Sequence, residues 1–137
     1  MILDTDVLIA LGSPRCPGSI KRGLERVAEP LHTTAVNWAE LLFGLIRPSL
    51  DGKQRLLDDY GAAVIRQLPI LPFDQACAEV LAELRAGLES RGQRLDTSDL
   101  MIASIALRHD LTLVTGNTRH FSRVPGLRLE NWLTEDE

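Results

Sequence analysis

Acidic side chains stand in this sequence at places where an unpaired charge is expensive. Asp4 stops the apolar run Met1-Ile2-Leu3. Glu40 sits inside Trp38-Ala39-Glu40-Leu41-Leu42-Phe43, and Asp99 lies one turn into the most hydrophobic helix expected in the chain, which starts at Asp96-Thr97 and carries the apolar residues from Leu100 to Ala106. A carboxylate on an apolar helix is costly unless something compensates it, and few basic residues lie near these three in sequence. A divalent cation would compensate all of them together. Hard cations such as Mg²⁺ take oxygen ligands and a few carboxylates, and Mn²⁺ accepts the same set. Carboxylates gathered without a cation would raise one another's pKa values.

Each acid also has a plainer reading. Asp4 is a favoured helix N-cap. Asp6 in a first helical turn suits the helix dipole. Glu40 can reach the surface, and Asp99 stands three positions after Asp96 in a capping-box arrangement. Asp96 either caps or shares a helix face with Asp99, since residues three apart are neighbours. Two further polar residues, Thr115 and Asn117, follow the apolar run 111–114 and join the acids as candidates. His32, His109 and His120 have no metal-ligand spacing and none is expected to take part. Ser98 and Ser104 lack the G-x-S-x-G setting of a serine hydrolase, and no phosphate-binding G-x-x-x-x-G-K-[ST] loop occurs.

The elements that must position these residues follow from periodicity and breakers. Strands are expected at 1–3, 31–33, 68–71, 111–114 and 127–129. Helices are expected at 5–11, 17–28, 36–46, 51–65, 74–90 and from Asp96-Thr97 onward. Strands alternating with helices imply a parallel sheet wrapped by helices, an α/β sandwich, whose sites form at the carboxyl ends of strands. Residues 1–137 are expected to form one domain, and the acidic tail 134–137 to fray.

Composition excludes several classes. The 137 residues are 45% hydrophobic with a net charge of −4. No apolar run approaches the roughly 20 residues of a membrane span. Asp4 and Asp6 are out of place in a signal peptide, so a cytoplasmic protein with its N-terminus in the fold is expected. Cys16 and Cys77 form no C-x-x-C pair, which argues against a zinc cage; Cys77 is expected in the core. The negative charge argues against a protein that coats nucleic acid, but not against an enzyme that acts on it. The bases are almost all arginine, with Lys21 and Lys53 the only lysines.

The order of these blocks resembles the PIN-domain ribonucleases, and within them the VapC-type toxins. Residues 1–8, M-I-L-D-T-D-V-L, resemble that family's opening. Residues 33–44, T-T-A-V-N-W-A-E-L-L-F-G, resemble its second block. Residues 95–106, L-D-T-S-D-L-M-I-A-S-I-A, and 111–121, L-T-L-V-T-G-N-T-R-H-F, resemble its third and fourth, and Leu71-Pro72-Phe73-Asp74 is similar to VapC and FitB proteins. The resemblance covers nearly the whole chain. It implies a three-layer α/β/α sandwich with a central, mainly parallel sheet. It also implies a Mg²⁺- or Mn²⁺-dependent endoribonuclease, a homodimer, and a VapB-type antitoxin partner. By position it assigns Asp4, Glu40 and Asp99 as metal ligands. The fourth position, often Asp in the family, is Asn117 here, which puts a second metal in doubt. Thr115 and Asn117 would orient water or support the ligands, Asp6 and Asp96 are possible additions, and Arg119 is the candidate phosphate contact. Two alternatives remain: a haloacid-dehalogenase-type phosphatase using Asp4 and Asp6, for which no suitable downstream lysine exists, and a PIN-like binding module that has lost its metal.

Overall fold

The computed structural model describes residues 1–46 and 60–134 of the chain. Their elements run β1 (Ile2–Leu3), α1 (Thr5–Leu11), α2 (Gly18–Arg26), β2 (Thr33–Thr34), α3 (Ala35–Ile46), α4 (Tyr60–Gln67), β3 (Ile70–Leu71), α5 (Gln75–Ser90), α6 (Thr97–His109), β4 (Leu113–Val114), α7 (Thr118–Phe121) and β5 (Leu129–Glu130). Most of the helix expected over 51–65 lies outside the described residues; α4 covers its end. The acidic tail lies outside them from 135 on.

All strand pairs are parallel: β1 with β4, β4 with β5, and β2 with β3. A bridge between Ile2 and His32 joins the two groups, through Leu3 N–H to His32 O and His32 N–H to Met1 O, both 2.8 Å. The sheet therefore reads β3-β2-β1-β4-β5. Parallel neighbours need long crossovers, and the helices supply them.

Successive strand side chains point to opposite faces, and the two cores follow that alternation. Ile2 and Leu113 pack on one face with Ile102, Ile105 and Phe121. Leu3 and Val114 pack on the other with Val7, Leu8, Ile20, Ile65 and Trp132. Helices α1, α2 and α4 thus cover one face and α5, α6 and α7 the other, giving the three-layer sandwich. Each fully buried Leu, Ile, Val or Phe contributes on the order of 1.5–3 kcal/mol. The helix α6 is central: Ile102, Ala103, Ser104, Ile105 and Ala106 are all buried.

Local chemistry sets the boundaries. Asp74 caps α5 by accepting from Cys77 N–H at 3.0 Å. Asp110 ends α6 in the left-handed region at φ 53°. On α2, Gly23 lets the Trp132 ring lie on the helix; a Cβ there would stand 2.4 Å from Trp132 Cδ2. Two strands are displaced from expectation. The one expected at 31–33 forms at Thr33–Thr34, in register with Ile70–Leu71. The last begins only at Leu129, after the turn at Gly126 (φ 79°). The short α7 was not expected at all.

Candidate active site

The sheet brings the carboxyl ends of β1 and β4 side by side, and the polar residues that stop both runs meet there. Asp4, 8% exposed, is both the N-cap of α1 and the centre of a buried network. Its Oδ1 accepts from Thr5 N–H (2.9 Å) and from Asn37 Nδ2 (2.6 Å), and its Oδ2 accepts from the Thr115 hydroxyl (2.7 Å). The capping reading of Asp4 is therefore realised, and the same carboxylate is also held by Asn37 of α3 and by Thr115 after β4.

Asn37 is fully committed. The Thr34 hydroxyl donates to its Oδ1 at 2.7 Å, and its Nδ2 donates to Asp4 and to Thr5 Oγ1 at 2.9 Å. Thr34 Oγ1 in turn accepts from Asn37 N–H at 3.1 Å, capping α3. Asn37, Thr34 and Thr115 are all fully buried, so the orientation of Asp4 is dictated from both sides. On the β4 side, Thr115 Oγ1 also accepts from Asn117 N–H at 3.0 Å.

Around this fixed carboxylate stand three others, and each is pushed up from the ordinary carboxylate range. Partial burial is the main cause for Glu40, followed by the charges of Asp4 and Asp99. Part of the Glu40 side chain reaches solvent, and the Thr5 hydroxyl pulls weakly the other way. For Asp99 burial again leads, then Asp4 and Asp96, with His120 opposing. For Asp6 burial leads, then Asp4; the Gly116 and Val7 N–H groups oppose. Asp6 Oδ2 accepts from Gly116 N–H at 2.8 Å, and its Oδ1 accepts from Val7 N–H at 2.8 Å. A Cβ at Gly116 would lie 2.8 Å from Asp6 Oδ2 and 2.6 Å from Leu133 Cδ1, so the close approach requires glycine.

The structure thus brings Asp4, Asp6, Glu40, Asp99 and Thr115 to one place, with Asp96 at its edge. Asp96 occupies the N-cap position of α6 but makes no capping hydrogen bond with its side chain. Asn117 precedes α7 and its Nδ2 pairs with His120 Nδ1 at 3.1 Å. Arg119 is exposed on α7 and forms no ion pair among the described residues. Sequence reasoning missed Asn37 and the bond by which Thr34, legible as the cap of the following helix, holds it. It also set aside His120, which stands close enough to act on Asp99.

The donor set is oxygen-rich and anionic, which fits a hard divalent cation. The elevation of Glu40, Asp99 and Asp6, by burial first and by the Asp4 charge second, is what partly buried carboxylates facing one anionic space show when no cation compensates them. Among the described residues no three acidic, histidine or cysteine groups already converge tightly enough to enclose an ion.

Comparison with known proteins agrees with this geometry. The family model described as PIN domain matches residues 1–127. The chain is 33% identical over 134 residues to Ribonuclease VapC2 of Rickettsia felis, spanning 96% of each chain. It is 28% identical over 131 residues to the tRNA(fMet)-specific endonuclease VapC of Shigella flexneri, again spanning 96% of each. Among solved structures it is similar to VapBC2 from Rickettsia felis bound to a promoter DNA fragment, with TM-score 0.82 and 31% identity over 96% of this chain and 97% of that one. It is also similar to FitAcB from Neisseria gonorrhoeae, with TM-score 0.80 and 26% identity over 98% and 99%.

Proposed function

From the premise that the chain belongs to the PIN-domain family, in its VapC ribonuclease branch, we propose that it is a Mg²⁺- or Mn²⁺-dependent endoribonuclease, the toxin half of a VapBC-type pair. The observation that carries the metal site is the set of acids at the carboxyl ends of β1 and β4, each raised by burial first and then by the charge of Asp4.

In this reading Asp4, Glu40 and Asp99 hold the cation directly or through water, and Asp6 and Asp96 add negative charge at the edge. A bound divalent cation supplies an acidified water and relieves the negative charge developing on the phosphoryl group. The protein's own residues do the rest. Asn37 and Thr115 hold both oxygens of Asp4 in one orientation, as outer partners of metal-binding carboxylates do. Thr115 is accordingly a positioning residue, because its hydroxyl donates to Asp4 and accepts from Asn117 N–H. Asn117 is neutral and leaves the fourth position without a charge, which favours a single cation.

The phosphatase alternative has no support from the described residues. Lys21, the lysine among them, lies on α2, on the face of the sheet covered by α1 and α4. No helix of the described residues is long and apolar enough to cross a membrane. The solved neighbours are toxin–antitoxin complexes, and the proposal extends to this chain: a VapB-type antitoxin and a homodimer. Exposed Ile9, Ile46 and Ile70 are apolar surface available to such contacts.

The test is cleavage of a mixed tRNA and ribosomal RNA pool by antitoxin-free protein in Mg²⁺, in Mn²⁺ and in EDTA, with Asp99→Asn alongside. Discrete fragments that need both the metal and Asp99 are the expected result. A folded wild-type protein that cuts nothing, or a folded Asp99→Asn protein that cuts normally, overturns the proposal.

A further inference from the structure

Beside the acids, a cavity of about 530 Å³ opens between the end of α5, the connection 91–96, the first turn of α6 and α7. Small-molecule sites run to about 300–1,000 Å³, so it has room for one nucleotide unit. Its lining is divided by chemistry. Leu88, Leu95 and Leu100 make an apolar floor, and Arg85, Arg94 and Arg123 contribute guanidinium groups. Asp96 and His120 also line it, and Asp96 occupies the N-cap position of the helix that carries Asp99, so the cavity borders the acid cluster.

The arginines differ in their commitments. Arg123 Nη1 donates to the Arg94 carbonyl at 2.8 Å, which fixes one edge of its guanidinium and ties α7 to the 91–96 connection. Arg94 is exposed, and its side chain makes no hydrogen bond or ion pair among the described residues. Arg85 is shared with Glu89 at 3.2 Å on an exposed surface, a weak attachment. In a chain of net charge −4, three arginines around one cavity next to an anionic cluster are a local arrangement. The combination of an apolar floor and planar, multidentate cations matches a nucleobase with its phosphates.

We propose that this cavity is the subsite for a nucleotide flanking the scissile phosphate of single-stranded RNA, with Arg94 and Arg123 on its phosphates and Leu95 and Leu100 beneath its base. The inference rests on the ribonuclease reading for the words "scissile phosphate", but RNA binding at the cavity is testable without any cleavage. Each guanidinium contact to a phosphate of a single strand contributes about 0.7 to the salt slope of binding, which is lost when the contact is removed.

The experiment is fluorescence anisotropy of a fluorescein-labelled mixed-sequence oligoribonucleotide in EDTA, titrated with wild type, Arg94→Ala, the Arg94→Ala/Arg123→Ala pair, and an Arg15→Ala/Arg22→Ala control on the opposite face. The pair should weaken binding about tenfold or more and lower the salt slope by about 1.4. Arg94→Ala alone should account for part of that loss, and it breaks no contact on which folding depends. The control should stay within about twofold of wild type. Unchanged binding in the pair, an equal loss in the control, or no binding by wild type overturns the proposal. The cleavage assay reports separately: a protein that binds RNA through these arginines but cuts nothing refutes the ribonuclease reading and leaves an RNA-binding cavity, whereas a protein that cuts RNA with binding indifferent to Arg94 and Arg123 refutes the subsite alone.

Discussion

Replacing Asn37 by alanine removes three side-chain hydrogen bonds at once, to Asp4 Oδ1, to Thr5 Oγ1 and from the Thr34 hydroxyl. A bond to a charged group contributes about 1.5–3 kcal/mol and a neutral one about 0.5–1.5 kcal/mol. The Thr5 and Thr34 hydroxyls can rotate toward other acceptors, so the expected loss is about 3–4 kcal/mol, a large part of the roughly 5–15 kcal/mol that holds a domain together. At about 4 °C per kcal/mol for a chain of this size, Tm should fall by about 12–16 °C. Asn37→Asp is the informative companion. It keeps the volume and the acceptor for Thr34, but it sets a carboxylate oxygen where a donor stood 2.6 Å from Asp4 Oδ1. In EDTA it should be no more stable than the alanine variant, and Mg²⁺ should restore more of its Tm than it adds to wild type, because a cation offsets the added charge. The assay is thermal unfolding by circular dichroism for all three proteins with EDTA and with Mg²⁺. Cleavage by the alanine variant should fall about 10–100-fold, the usual cost of losing an outer partner of a metal ligand. A Tm loss in Asn37→Ala worth less than about 1 kcal/mol, or an Asn37→Asp protein as stable as wild type in EDTA, would refute the reasoning that Asn37 anchors Asp4.

Two further outcomes follow from the same geometry. Asp6, Glu40 and Asp99 all have folded-state pKa values raised above the unfolded ones, so they cost stability above the raised values and cost nothing below the ordinary carboxylate range. In EDTA, Tm should therefore rise as pH is lowered from neutrality toward the ordinary carboxylate range, and saturating Mg²⁺ should flatten that rise. Asp74, held low by Cys77 N–H, contributes in the opposite sense only at lower pH; a Tm that falls across the whole interval in EDTA would contradict the assignment. Gly23→Ala should push the Trp132 ring off α2, costing about 1–3 kcal/mol by overpacking and shifting tryptophan emission to the red, and an unchanged spectrum and Tm would show that the ring is not held there.

The parts of the site that were legible in the sequence are those where a polar residue interrupts an apolar pattern. Asp4 and Thr115 each stop a strand, and Asp99 breaks the face of the most buried helix, so their placement needed only periodicity. Asn37 gave no such signal, because an amide in a first helical turn ordinarily reaches water. Its importance depends on β1 and β2 lying side by side, which no local pattern states. The pairing of Asp6 with Gly116 likewise depends on the register of β1 with β4, although the sequence T-G-N already marked a tight turn. The four residues of α7 are too few to show a helical period. His120 was set aside for lacking ligand spacing, yet the turn that follows β4 carries it to the edge of the acids. The last strand was placed early because Leu127 continues an apolar pattern that the Gly126 turn interrupts in space.

The bond from Thr115 to Asp4 spans 111 positions of the chain. It closes only when β4 docks beside β1. Contacts of such long sequence separation form late and slowly, because the loop they close must be ordered first. During synthesis the amino-terminal acids emerge from the ribosome early, but they remain a loose set of like charges until the β4 segment follows. A nascent chain therefore has no finished site for most of its time on the ribosome, and the same holds for any fragment that ends before Thr115. Any activity that needs the complete set of acids is deferred until synthesis has passed that point.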